Sequence, residues 1–335
     1  MVYKNSDTWF YHELKDIEPS KKVKKIIEKL KGSETPTNIF NTIVKEYYES
    51  KVNKAIKSNN LLMLSDLLKE ALAVGLIYLE TPTARKWLEK PMLIFSDGND
   101  KTGHDTGIFN SSSAFLCPSK ALGHCKQCKK CYALFSEQRH FAEHFNNMYN
   151  CYMLLNYDIE LLYRNIVNSK EFKKIKELEF VRFNSNGDIL NNKMLNKLSK
   201  LIDLLKQDME NFKVCYTYTH NKNLNFSEID NIVVNYSDST DTTIKRTTVA
   251  YEWDKKYLDT SKYVICTGNC NQCPYCKDKD DLRCVVFMAH GGGLKGLEML
   301  PDGLFEVLVA QKYYDWANFY SKLINPKNKT LDDFL

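Results

Sequence analysis

The chain is 335 residues long, 43% hydrophobic and 27% charged, and its 47 Lys and Arg against 42 Asp and Glu leave a net charge of +5. That is enough apolar residue to fill one large domain or two ordinary ones, while the longest apolar run, 71–79, is too short to cross a bilayer. The opening residues lack the charged, apolar, small-residue order of a secretory signal, so the expectation is a soluble protein of the cytoplasm.

The first ninety residues predict helices over 22–30, 39–56 and 61–79, with Asn38 and Ser65 as N-caps, from apolar spacings of three and four. Twelve lysines face eight acids in the first sixty residues. These basic helices are a candidate nucleic-acid contact, with a solvated helix face as the alternative. Pro91 and the turn-rich stretch 96–100 end the block. Further on, helices are expected over 133–147, 159–168 and 191–208. Strands are expected over 179–183, 213–219, 231–236, 248–253, 263–266 and 284–288. Such alternation predicts an α/β fold with a mostly parallel sheet, or a partial (β/α) barrel, whose chemistry gathers at the carboxyl ends of the strands. An amphipathic helix over 304–323 closes the chain. The domains follow as a helical cap (1–92), an α/β core with cysteine-rich cluster loops (93–300) and a terminal helix and tail (301–335).

The eleven cysteines carry the strongest signal. Cys125, Cys128 and Cys131 form one C-x-x-C-x-x-C run with Cys117-Pro118 upstream, and Cys270, Cys273 and Cys276 form a second, with Cys266 before it and Cys284 after it. In a reducing compartment these are metal ligands before they are disulfides. Three thiolates so spaced suit three corners of an iron–sulfur cube, with a fourth arriving from nearby; zinc more often draws two C-x-x-C pairs across a longer loop. Two [4Fe–4S] clusters are therefore expected, with zinc as the alternative. Cys266-x3-Cys270-x2-Cys273 also has the spacing of the radical S-adenosylmethionine triad, in which three thiolates leave one iron open for that cofactor. Gln272 stands where an aromatic residue is usual, and Cys276 is placed to fill the open position. Cys284 is an alternative fourth ligand. Cys151 and Cys215 read as ordinary buried thiols.

From Phe95 onward the order of motifs resembles a phage- and plasmid-encoded family known as gene product 88-like. It runs Gly98-Asn99-Asp100-Lys101-Thr102, Cys117-Pro118, Cys131-Tyr132-Ala133, the strand Val181-Arg182-Phe183 leading to Gly187-Asp188, the strand Tyr216-Thr217-Tyr218-Thr219, the late cysteines, and His290-Gly291. The chain departs from the family at Asn184-Ser185-Asn186, where His-Asp-Ser is common. The resemblance implies an iron–sulfur-type protein of mobile elements and brings no known reaction.

Four groups of polar residues add candidates for chemistry. Arg182 in an apolar strand is costly to bury alone, and Asp188 is a natural partner. They read either as a site holding a carboxylate or phosphate and a ribose or amine, or as a structural ion pair. Tyr218 and His220 end the next strand as cofactor-binding candidates, with core packing as the alternative. His290 is a further catalytic candidate beside the turn Gly291-Gly292-Gly293. His140 and His144, one helical turn apart, read as a surface pair. Three functional classes stay open: a redox or radical enzyme, a fully ligated electron carrier or redox sensor, and a zinc-stapled nucleic-acid-binding protein.

Overall fold

A computed structural model describes residues 8–80, 89–98, 102–126, 128, 131–268, 270, 273–291, 294–295, 300, 304, 306–311 and 315. The chain opens with helices α1 (Trp9–Leu14), α2 (Lys21–Leu30), α3 (Pro36–Ile43), α4 (Glu49–Lys57) and α5 (Leu61–Ala73). The N-caps of α2, α3 and α5 are Ser20, Thr35 and Asn60, each side chain accepting the N–H three residues on. Asn38 and Ser65 are thus not caps. Asn38 lies inside α3 and donates its N–H to Thr35, and Ser65 is buried in α5, donating to Asn156. Two π-helical turns, Val44–Tyr48 and Val74–Tyr78, interrupt the long helices expected here and keep Val44, Tyr48, Val74 and Leu76 turned inward.

Helices α6 (Pro118–Ala121), α7 (Tyr132–Arg139), α8 (Phe141–Asn156), α9 (Ile159–Val167), α10 (Phe172–Ile175) and α11 (Asn192–Leu205) follow. The single helix expected over 133–147 is two, because His140 leaves the helical region (φ −118°, ψ 82°) between α7 and α8. Strands β1 (Ser96–Asp97), β2 (Thr106–Phe109), β3 (Phe180–Phe183), β4 (Val214–Thr219), β5 (Ile232–Ser237), β6 (Arg246–Ala250), β7 (Tyr263–Ile265) and β8 (Cys284–Met288) form one sheet in the order β1-β2-β3-β4-β5-β6-β8-β7. Strand β1 pairs antiparallel with β2, and every other pairing in this sheet is parallel. The mostly parallel sheet expected is found, and it is open rather than closed into a barrel. A short hairpin, β9 (His290–Gly291) with β10 (Leu294–Lys295), comes after it. Within the expected terminal helix, Leu304, 306–311 and Asp315 are helical; the rest of it, and Gly292 and Gly293 of the glycine turn, lie outside the described residues.

Strands β2 to β6 lie side by side in chain order. Right-handed crossovers added in one direction all fall on one face of the sheet. On that face Phe109, Val181, Phe183, Cys215 and Ile232 join a core shared with α5, α8 and α11. The same core contains Phe10, Phe40, Tyr48 and Leu68, so the N-terminal helices and the α/β part share one apolar interior. Lys69–Glu13 at 2.8 Å and Lys120–Glu49 at 2.6 Å add ties, the second reaching the first cysteine knot. On the opposite face Phe180, Tyr216, Val264 and Val285 pack against Cys266, Cys273, Tyr275 and Cys276. The second knot is the cover of that face.

Candidate functional site

A cavity of about 1600 Å³ opens at the carboxyl ends of the parallel strands. Asn184 after β3, His220 after β4, Asp238 after β5, Tyr251 after β6 and Ala289 after β8 all line it. So do all four cysteines of the first knot and Cys270 of the second.

The first knot is built on two helix starts. Cys117 occupies the N-cap of α6, with Pro118 pre-set for the first helical position, and Cys131 occupies the N-cap of α7. Burial pushes the Cys131 thiol up, against the N–H groups of Leu134 and Ala133, which favour its thiolate. Burial also raises Cys117 well above the ordinary thiol value, with Asp188, Cys131 and Cys125 adding to it. A hydrogen bond with Cys125 pulls Cys128 down. The four thiols therefore lie within electrostatic reach of one another.

Asp188 fastens this knot to the sheet. Its carboxylate accepts from Ser119 Oγ at 2.7 Å, from Thr219 Oγ1 at 2.8 and 3.0 Å, and from the N–H groups of His220 and Ile189 at 3.0 and 2.8 Å. Gly187 before it has φ +69°, and a Cβ there would meet the Ser112 carbonyl oxygen at 2.5 Å, so the Gly-Asp pair is a steric requirement of the turn. The ion pair read between Asp188 and Arg182 does not form. Asp188 is saturated by neutral donors on the loop side, whereas Arg182 projects from β3 toward the second knot, over Tyr218 and within reach of Cys270.

In that second knot Cys266 follows β7, its N–H held by Val286 O at 2.8 Å. Cys276 is pushed up to about 11 by burial and by Cys266, while Lys245 and a hydrogen bond with Tyr218 act the other way. Cys270, Cys273 and Cys276 all act on Tyr216 and Lys277, so these thiols too form one group. Cys284 is elsewhere. On β8 it alternates with Val285, which packs on the knot, and shares its face with Val286 and Met288; the groups acting on it are Arg246 and Asp238. None of the eleven cysteines is paired in a disulfide.

Two buried lysines that sequence reasoning missed lie beside the second group. Lys277, 2% exposed, donates to Cys270 O at 3.2 Å and sits 3.6 Å from the Phe180 ring centroid. Lys245, 5% exposed, donates to Asp281 O at 2.8 Å. Burial lowers the pKa of both, while the cysteines favour their charged forms. The Arg182 guanidinium lies 5.1 Å over the Tyr218 ring, its Nε enclosed. Lysines in and around cysteine-rich loops look solvated in sequence; only packing reveals these two as interior.

Tyr218 and His220 both line the cavity. His220 Nε2 lies 3.3 Å from Asp238 Oδ2. Burial works against its charged form, and Asp238 with Cys125 outweighs that, so its pKa stands above the ordinary value. His290 begins β9, directly after the cavity-lining Ala289. His140 is exposed, but His144 is buried between Phe40 and Phe115, so the two are not a surface pair. A polar network beneath the first knot also escaped the sequence reading. Glu137, fully buried, accepts from Ala114 N–H at 3.0 Å and from Asn147 at 2.8 Å. Asn186 bridges it to Glu143, at 3.3 and 2.8 Å.

Among the described residues no three Cys, His, Asp or Glu side chains converge as a ligand set for one metal ion. The donor chemistry nonetheless fits an anionic thiolate-ligated group at each knot. The four thiols of the first act on one another and helix N-termini support two of them, while in the second Cys266 and Cys270 act on Cys276, and buried lysines face the set.

Fold and site together define an α/β protein with an open, mostly parallel sheet, whose strand-end cavity is lined by one cysteine group and by Cys270 of a second. Residues 92–298 match the family described as gene product 88, and the chain belongs to that family. No curated protein and no solved structure matches it. Among the described residues no helix is long and apolar enough to cross a membrane.

Proposed function

We propose that each cysteine group holds a [4Fe–4S] cluster, Cys117, Cys125, Cys128 and Cys131 at one and Cys266, Cys270, Cys273 and Cys276 at the other. The protein would serve a phage or mobile element in the cytoplasm through redox or radical-type chemistry. The observation that supports this most is the pairing of two separate cysteine groups with buried Lys245 and Lys277, cations whose charge in an interior calls for an anionic neighbour. Such clusters supply one-electron chemistry when bound. The chain's own part is to exclude water with the Tyr216, Tyr218 and Phe180 face and to hold a cavity against both groups.

Membership of Cys276 in the second group favours a second reading, a fully ligated electron carrier, over a cluster with an open iron for S-adenosylmethionine. Visible and EPR spectra of the protein purified without oxygen, before and after reduction, test the proposal. A reducible cluster signal is expected, and a shift on adding S-adenosylmethionine would select the radical enzyme. A colourless, EPR-silent protein containing zinc would contradict both.

A further inference from the structure

Two buried donors in the cavity wall have no hydrogen-bond acceptor among the described residues: Arg182 Nε and Asn184 Nδ2. Neither orientation is arbitrary. Asn184 stands in the left-handed region at φ +54°, a conformation asparagine tolerates. Its Oδ1 accepts the N–H and the hydroxyl of Ser111 at 2.8 and 2.9 Å, which leaves only the amide N–H₂ for a partner. Arg182 is stacked on Tyr218, so the guanidinium face is occupied and its N–H edge is what remains to bind.

Other cations lining the cavity are engaged or exposed. Lys120 pairs with Glu49, Lys174 with Asp97, and Arg139 lies at the solvent side. A guanidinium with its Nε buried and a buried amide N–H₂, two residues apart on one strand end, match an oxyanion in charge and donor chemistry. One fixed planar cation matches a carboxylate, whose two oxygens take the parallel N–H pair of an arginine, better than a phosphate dianion. The geometry points to a binding site for a small carboxylic acid in this cavity, held by Arg182 and Asn184 between the two cysteine groups. Nothing in this depends on which metal the thiols hold. The apolar part of the ligand would lie along Tyr218 and Phe287, which also line the cavity.

The test uses the full chain as purified, with its metal content measured in the same sample. Benzoate, benzamide and inorganic phosphate are titrated as probes by ligand-observed NMR. Benzoate is expected to bind and its uncharged isostere benzamide to bind about tenfold or more weakly, the scale of a charge-assisted hydrogen bond. Arg182→Gln should weaken benzoate by a similar factor and leave metal content unchanged, and Arg182→Lys should recover part of the loss. Equal binding of benzoate and benzamide would overturn the inference, as would phosphate binding in preference to benzoate. So would an Arg182→Gln protein that loses metal yet binds benzoate as before, which would make the guanidinium a counter-charge to the second cysteine group. The benzoate–benzamide comparison needs only the unmutated protein, so it stands even if Arg182→Gln does not fold.

Discussion

Ser119 donates its hydroxyl to Asp188 Oδ2 at 2.7 Å, joining the first turn after Cys117 to the loop after β3 across 69 positions of sequence. Because Thr219 and two backbone N–H groups converge on the same carboxylate, removing it strands several buried donors together. Asp188→Ala is expected to cost about 2–5 kcal/mol in urea unfolding. Asp188→Asn should cost less, since the amide keeps one acceptor. The alanine variant should also lose metal from the first group before the second, read as metal content per chain after gel filtration.

Glu137 and His144 set opposing pH dependences. Burial raises Glu137 from the 4.5 of a free glutamate to about 8, against the donors Asn147 and Ala114 N–H. Between pH 4.5 and about 8 the folded protein thus keeps a proton that the unfolded chain has lost, and stability falls as pH rises through that window. Burial lowers His144 from 6.5 to about 3. Between those values the unfolded chain binds the extra proton, so stability falls as pH drops. The two slopes cancel from about 4.5 to 6.5 and act alone outside it. Glu137→Gln is expected to remove the alkaline fall, up to about 1.4 kcal/mol per pH unit at its steepest, as measured by unfolding from about pH 6 to about pH 9.

Single cysteine substitutions should separate the two groups. Cys117→Ser is expected to remove the metal of the first knot and leave that of the second, and Cys276→Ser the reverse. Cys284→Ser should change neither, because β8 turns that thiol to the other face. Metal lost in Cys284→Ser would show that the register of β8 does not govern ligation.

Lys245 and Lys277 are interior charges that the second thiol group would neutralise. Lys277→Met is expected to lower that group's metal affinity by about tenfold, the usual scale of a supporting contact. It should leave the first group intact, as competition with a chelator would show. In protein stripped of metal the same substitution should raise stability, since methionine fills the space beside Phe180 without a buried charge.

Periodicity makes the helices and most strands readable. Val181, Cys215 and Ile232 sit in short apolar runs rich in β-branched and aromatic residues, and Leu195, Leu198, Leu201, Ile202 and Leu205 follow helical spacing toward one core. Strand β2 escapes because Thr106–Phe109 is four residues with a glycine inside, too short to show a period. The caps lie several residues earlier than expected because Thr35 and Asn60 precede the apolar run, where Asn38 and Ser65 lie within it. At the site, cysteine spacing marks both knots, and the cost of a charge in an apolar strand marks Arg182. Its pairing with Asp188 fails because proximity in sequence says nothing about which side of a strand end a loop folds to. Glu137, Lys245 and Lys277 give no signal, since a polar residue on a helix or loop looks solvated until its neighbours are known.

Iron, acid-labile sulfide and zinc, measured per chain in protein purified without oxygen, test the central claim most directly. Two clusters predict roughly eight irons and eight sulfides with little zinc. Stoichiometric zinc without sulfide would contradict the account and leave a pair of structural staples in place of redox centres.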